Sequence, residues 1–414
     1  MSNRMDKRER SWVLYDVANS AFVMLATSLV PIYYASLAPE GSTDSVTVVW
    51  GYTIAIATAI VALLMPFLGS LADYPKNKKK FLVGSIGTGV VACCALALAG
   101  APVAFLVIYV VAEVGYSLSL LFSDAFLVDA TTDEKYDAVS SKGYAWGYVG
   151  SLIPFGICIA LVLLGPGFGL PTATAVKISF LITAAWWVLF SIPILKNVHQ
   201  KHSKPRTEHA ITTSLKGLLG TLKSIVQYKK MLFFLIAFFC YIDGVHTIIK
   251  MATAYGTQLG IDSTQMIIAL VVTQLVAFPS ALAFGKLAGR VGARKMLIVS
   301  VIAYALITVY AAFFLATATE FWILAVSVGL FQGGIQALSR SYFSRLIPDK
   351  SHSNEYFGFF DIFGKYAAIL GPLFMATFEL ITGSASMGIL SLTAMFIIGL
   401  VFLILMPKGD EAGT

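Results

Sequence analysis

Apolar residues run along this chain in blocks of about 20 or more, separated by short polar stretches. A helix needs about 20 apolar residues to cross the hydrocarbon core of a bilayer. Twelve blocks meet that length, at 12–38, 46–72, 81–100, 103–128, 142–164, 175–195, 231–257, 263–287, 294–315, 320–344, 356–380 and 385–406. The pattern predicts an all-α membrane protein of twelve transmembrane helices. Composition agrees: of 414 residues, 58% are hydrophobic and 12% charged, against roughly 25% charged in a soluble globular chain. That balance excludes a soluble multi-domain protein.

Charge placement orients the spans. With the N-terminus in the cytoplasm, all but three of the 29 lysines and arginines fall in inside segments. The three are Lys177, Lys250 and Lys365, each within a span, and the outside loops hold none. Lysine and arginine set topology where acids contribute little, so both termini are expected inside. The net charge of +7 therefore belongs to membrane topology rather than to nucleic-acid binding. Cys93, Cys94, Cys158 and Cys240 all lie inside apolar blocks and are expected to pack rather than pair. The basic start MSNRMDKRER precedes an apolar run too long for a cleaved signal, and that run is taken as the first span.

The longest polar stretch divides the spans six and six. The expected organisation is an N-terminal six-helix bundle at 1–195, a cytoplasmic linker at 196–230 and a C-terminal six-helix bundle at 231–414. Within the linker, Ile211, Leu215, Leu218, Leu219, Leu222, Ile225 and Val226 fall at helical spacing among Lys216, Lys223 and Lys229, which predicts an amphipathic helix on the membrane surface. His199, His202 and His209 have no carboxylate or thiol beside them in sequence, so the stretch before that helix reads as a solvated basic linker rather than a metal site.

The halves echo each other. GSLADYPKNKKKFL at 69–82 follows the second span, and GKLAGRVGARKML at 285–297 follows the eighth. Both run Gly-x-Leu-Ala, turn, basic cluster, helix. Pro66 and Pro279 precede these motifs, and Pro154 and Pro372 recur in spans five and eleven. Bends in corresponding positions of two halves point to a repeat transporter with its site at the repeat interface.

The first of these turns resembles the loop motif of the major facilitator superfamily. That resemblance implies two pseudo-symmetric six-helix bundles and a capping role for the acidic position, which Asp73 matches. The second copy has Gly289 there instead, and the first copy has Lys76 where a second glycine is usual. A narrower resemblance covers most of the chain. LYDVANSAF at 14–22, VSSKGYAWGYVGS at 139–151, FFCYIDGVHTI at 238–248, FQGGIQALSRSYFSRLIP at 331–348 and EYFGFFDIFGKYAAILGP at 355–372 are similar to segments of the vacuole-effluxer-like branch, whose founding members are autophagy-related amino-acid exporters. The usual tryptophan after the aspartate of the first segment is Val17 here.

A charge at the bilayer centre costs roughly 2.5–3.5 kcal/mol on insertion scales, so each buried ionisable group must be paired, solvated or functional. Asp243, His246 and Lys250 fall on one face of span seven near its middle, and an Asp–His pair one turn apart can relay a proton. Glu113 is a carboxylate at mid-depth in span four. Gln332 and Gln336 share a face of span ten and offer donors and acceptors to a polar solute. Asn19 is placed on the cavity wall, and Tyr241 is a candidate aromatic contact. These eight residues are the expected substrate-binding or coupling set. Asp16, Asp73, Asp124, Arg340, Asp361 and Lys365 lie toward the cytoplasmic side or face an internal partner, and are expected as gate or latch residues.

The expected function is secondary active transport of a small organic solute by alternating access, coupled to protons. The amino-acid class of solute is what the resemblance implies. No phosphate-binding GxxxxGK[ST] loop is present to support ATP drive. No His-Glu-x-x-His or Gly-x-Ser-x-Gly pattern supports an enzyme. The alternatives are a lipid or amphiphile transporter and a sensor that binds without moving its solute. The expected partners are a small-molecule substrate, protons and the lipid bilayer, with no nucleic acid, cofactor or metal, and the chain is expected to act as a monomer. A bacterial inner membrane is expected in preference to a vacuolar one.

Overall fold

The computed structural model describes residues 4–37, 46–205, 207, 209–258 and 260–407. They form fourteen α-helices: α1 Lys7–Leu37, α2 Val46–Ala72, α3 Asn77–Leu96, α4 Pro102–Ala125, α5 Leu127–Ala130, α6 Tyr136–Leu164, α7 Thr172–Asn197, α8 Ala210–Gln227, α9 Lys229–Gln258, α10 Ser263–Val291, α11 Ala293–Phe314, α12 Ala318–Leu346, α13 Ser353–Thr382 and α14 Ala385–Leu405. Twelve segments, all but α8 and with α5 continuing α4, are long and apolar enough to cross a bilayer. No strand occurs among the described residues.

The expected spans coincide with these helices, but α1, α3 and α6 start four to six residues before their apolar blocks. α1 begins at Lys7, α3 at Asn77 and α6 at Tyr136, each with charged or polar residues in its first turn. The block 103–128 is not one helix: α4 stops at Ala125, and Phe126 turns the chain into α5. The Ala125 carbonyl at that break accepts a hydrogen bond from Lys78 Nζ at 3.2 Å. α12 starts where Thr317 and Glu320 form a reciprocal capping box, which satisfies two otherwise orphan donors.

The helices gather into two compact units. The first holds residues 1–130, 146–215 and 351–358. Within it α1 packs on α7 and α4, and α3 lies against α4 and α7. Phe22, Tyr116 and Trp187 cluster in its interior, with ring centroids 5.1–6.1 Å apart. The second holds residues 131–145, 216–350 and 359–414, with α10 on α12 and α14 on α9 and α11. The first turns of α6 thus belong to the second unit, and those of α13 to the first.

The two Gly-x-Leu-Ala turns play one geometric part, each in its own unit. A Cβ on Gly69 would lie 2.5 Å from the Asn354 carbonyl oxygen at the start of α13. A Cβ on Gly285 would lie 2.6 Å from Ser141 Cβ near the start of α6. Only glycine lets these backbones come so close. Seven residues further on, both turns use left-handed backbone: Gly292 at φ 96° and Lys76 at φ 67°. Lys76 is the only non-glycine with positive φ among the described residues. That conformation costs an L-residue roughly 1–2 kcal/mol, against the roughly 0.5–1 kcal/mol that glycine loses through its freer unfolded chain. Lys76→Gly is therefore expected to stabilise the protein by about 0.5–1 kcal/mol, read as an upward shift in its melting temperature.

Candidate solute site and polar networks

The opening polar stretch of α1 is a seam between helices. Trp12 Nε1 donates to the Ser123 carbonyl at 2.6 Å, and Trp186 Nε1 donates to the Val17 carbonyl at 3.1 Å. Ser20 bonds back to the Asp16 carbonyl and Asn19 Nδ2 to the Tyr15 carbonyl, one turn earlier on the same helix. Asp16 and Asn19 are both buried, as is Asp124 on α4. Glu113, half-buried, accepts from the Ser117 hydroxyl at 3.0 Å.

At the basic-loop end of the first unit, four segments meet. Asp73 is fully buried. Its Oδ1 accepts from Asn354 N at 2.9 Å and Asn354 Nδ2 at 2.7 Å, and its Oδ2 accepts from Glu355 N at 3.0 Å. Those two amides are among the orphan donors of the first turn of α13, so Asp73 caps that helix with a charge of the favourable sign. Burial pushes its carboxyl up to about 7, against the opposing pull of Lys78, Lys204 and the Asn354 bonds. Lys78, also fully buried, donates to Asp129 Oδ2 at 2.7 Å and to Ser353 Oγ at 2.9 Å. The 198–204 stretch, expected as solvated linker, is instead bonded to this network. His202 Nδ1 lies 3.0 Å from Asp129 Oδ1, and Lys204 Nζ pairs with Glu355. The missing carboxylate partner of the linker histidine was Asp129, 73 residues away in sequence.

The second unit has no carboxylate in its turn, and side chains of α12 hold the start of α6 instead. Asp137 Oδ1 accepts from Ser341 Oγ at 2.5 Å and Arg345 Nη1 at 2.8 Å. Lys350 pairs with Asp133. Arg340, buried, donates from Nε to Ser140 Oγ at 3.0 Å and lies over the Tyr144 ring at 4.4 Å. Sequence reasoning found Arg340 but missed Asp137, whose signal was its place in the first turn of α6. In the basic cluster of this turn, Arg294 turns to α14 and donates to the Leu403, Ile404 and Met406 carbonyls.

Deeper in the second unit, Asp243 is fully buried and its Oδ1 accepts from Gly371 N at 2.9 Å. Gly371 has no Cβ to spare: one would collide with Thr247 Oγ1 and stand 2.8 Å from Asp243 Oδ1. The carboxylate thus holds a backbone amide of α13 beside Pro372. Tyr241 is fully buried with its hydroxyl 2.6 Å from Ser339 Oγ. His246 and Gln336 are half-buried, and Asp361 and Lys365 sit half-buried one turn apart on α13. The Lys250 side chain lies outside the described residues.

Between α9, α10 and α12 the same unit has a small, partly open cavity of about 40 Å³. Its wall is largely apolar, with Ile248, Ala252, Leu270 and Phe321 among its members, and it includes Thr273, Gln274 and Gln332. The Oε1 atoms of Gln274 and Gln332 are both buried without a hydrogen-bond partner. Buried acceptors left open cost free energy, so two on one cavity wall mark a place where a ligand's donors, or water, would be held. Gln332 was legible from sequence; Gln274 was missed, and its signal was a lone amide in the middle of an apolar span. Asp243 and His246 do not line this cavity, whose α9 wall begins one turn further on at Ile248.

Twelve membrane-length helices, with matched Gly-x-Leu-Ala turns in two units, define a major facilitator fold. Solved structures agree. The fucose transporter FucP in its outward conformation superposes with a TM-score of 0.75 at 13% identity, covering 97% of this chain and 98% of that one. The proton:xylose symporter XylE gives 0.74 at 11% identity, with 97% and 94% covered. At such identities the likeness shows the fold alone. Sequence carries the family. Residues 40–129 and 128–411 match the family described as vacuole effluxer Atg22 like. The chain is 46% identical over 415 residues to YxiO of Bacillus subtilis, described as an uncharacterized MFS-type transporter, spanning 99% of this chain and 96% of that protein. It is 25% identical over 282 residues to autophagy-related protein 22 of Cryptococcus neoformans, spanning 63% of this chain and 48% of that protein. The chain belongs to the Atg22-like vacuole effluxer family and is a multi-pass transporter of the major facilitator type.

Proposed function

We propose that the protein carries a small organic solute, an amino acid or related metabolite, through the membrane by alternating access coupled to protons. The observation that supports a solute site best is the cavity with the open amide oxygens of Gln274 and Gln332. Its polar atoms suit the N–H or O–H donors of a solute, and its apolar wall suits a side chain without charge. The amino-acid class rests on the resemblance to autophagy-related exporters. Asp243, His246, Lys250, Glu113, Gln336, Asn19 and Tyr241 remain the proposed coupling and binding set.

In this reading the Asp73 network is a latch on the start of α13 and the Asp137–Arg345 network a latch on the start of α6. Asp16, Asp124, Arg340, Asp361 and Lys365 belong to the same gating machinery. Both termini face the cytoplasm, the bundles 1–195 and 231–414 are joined by the linker 196–230, and the protein works as a monomer in a bacterial plasma membrane.

Ligand binding raises apparent stability by about 2.7 kcal/mol at a hundredfold excess over Kd. Purified protein in detergent is expected to melt at higher temperature with at least one amino acid, and Gln332→Leu is expected to keep the unliganded melting point while losing that shift. Stabilisation by lysolipids and by no amino acid would replace the solute class with an amphiphile. Shifts that are identical in wild type and Gln332→Leu would remove the cavity from the site.

A further inference from the structure

We propose that residues 198–204 form a strap that completes the latch on α13, and that Lys204 is its cation. The inference rests on reading the Asp73 network as a latch.

The strap is bonded at Gln200, Lys201, His202 and Lys204. Val198 is buried. Gln200 Nε2 donates to the Asp73 carbonyl at 3.2 Å, and Gln200 Oε1 accepts from Lys78 N at 3.4 Å. The backbone amides of Lys201 and His202 both donate to Asp129 Oδ1, at 2.9 and 3.0 Å. Lys204 N donates to the Asp73 carbonyl at 2.9 Å. A segment seated by backbone and side chain alike is not a passive tether, because each of those bonds must break before it can leave.

Charge explains what the seating accomplishes. Asp73 and Glu355 are carboxylates with side chains 0% and 1% exposed, on α2's end and α13's first turn. Two buried carboxylates in one network repel, and each is costly without a cation. In the basic cluster of the turn, Lys78 is directed to Asp129 and Ser353, while Lys76 and Lys80 are exposed. Lys78 also draws on Asp73, and the cation that reaches both Asp73 and Glu355 comes from the strap. Lys204 Nζ pairs with Glu355 Oε2, donates to Ser70 Oγ at 3.0 Å and stands 3.8 Å from Asp73 Oδ2. One ammonium thus ties the end of α2 to the start of α13. Gln200 and the amides at 201 and 202 position it.

The test is hydrogen exchange at the Asn354 and Glu355 amides, measured on the full chain in lipid nanodiscs. Lys204→Gln is expected to speed exchange there about tenfold or more, while the amides in the middle of α3 keep their wild-type rates. Lys204→Arg keeps the charge and is expected to stay within a few-fold of wild type. The exposed control Lys80→Gln is expected to change nothing. Asp73→Ala, which removes all three bonds to the α13 turn, separates the two ideas. If it leaves these amides as protected as before, the latch reading fails. If it exposes them while Lys204→Gln does not, the latch stands and the strap is overturned. A measurement without mutation guards against misfolding: in wild type the Lys204 amine is expected to react with an acylating reagent at least tenfold more slowly than the Lys80 amine. Equal rates would mean that the strap is not seated, which would also overturn the proposal.

Discussion

Lys78→Met is expected to destabilise the protein by about 3–5 kcal/mol, the largest effect of any single substitution considered. Lys78 and Asp129 are both fully buried and 2.7 Å apart. Taking away one partner of such a pair leaves an uncompensated charge in a low-dielectric site, and that penalty exceeds the net worth of the pair itself. Here the loss spreads, because Lys78 Nζ also satisfies the Ala125 carbonyl where α4 breaks and the Ser353 hydroxyl at the start of α13. Asp129 would keep the amides of Lys201 and His202, which bounds the cost. Melting curves in detergent check the value. The double variant Lys78→Met with Asp129→Leu is expected to recover part of the loss, since no orphan charge then remains. A Lys78→Met protein as stable as wild type would mean that the pair is hydrated rather than buried.

The second large effect is at Asp73, and it has a sign in pH. Removing the side chain with Asp73→Ala takes away three bonds to a buried charged acceptor and is expected to cost the latched state about 2–4 kcal/mol. In the latched state burial raises its carboxyl from 3.8 to about 7, with Lys78 of α3 and Lys204 of the strap opposing the rise and Glu355 of α13 beside it. Once the latch opens and water enters, the group returns toward the ordinary carboxylate range of about 4. The latched state therefore holds more protons between those limits. Its advantage is complete below about 4 and is lost as pH rises through 7. Acidification from pH 8 to pH 6 is expected to favour the latched state by about 1.4 kcal/mol, a tenfold gain in protection at the Asn354 and Glu355 amides after correction for intrinsic exchange. Asp73→Asn removes the dependence. Protection that weakened on acidification would show that the carboxyl is not raised in the latched state.

The spans were legible in the sequence because lipid imposes a strict rule: about 20 apolar residues or no crossing. The repeat was legible because both copies of the turn must bring a backbone against an incoming helix, and Gly69 and Gly285 are the residues that allow it. The departure at Lys76 was visible as a missing glycine, and its backbone carries the left-handed angle that explains why glycine is usual there. The polar networks were only half legible. Asp73 and Arg340 declared themselves as charges near span ends. Their partners did not, because Asn354 lies 281 residues from Asp73 and Glu355 lies 151 from Lys204. Periodicity reports neighbours within an element and says nothing of which polar ends meet. For the same reason His202 read as a solvated linker residue, although the fold brings a buried carboxylate to its ring. In the solute site, Gln332 stood out through its pairing with Gln336 on one face. Gln274 has no such companion, and an isolated amide in an apolar span looks the same whether it faces a cavity or a neighbouring helix.

Solute flux is the most direct measurement. Liposomes containing the purified protein and loaded with a mixture of the twenty amino acids can be followed by mass spectrometry of what leaves them. At least one amino acid is expected to leave several-fold faster through the wild-type protein than through Gln332→Leu or through protein-free liposomes. Efflux at the protein-free rate for every amino acid, from protein that still binds one of them, would contradict carriage of that solute and leave a receptor in its place.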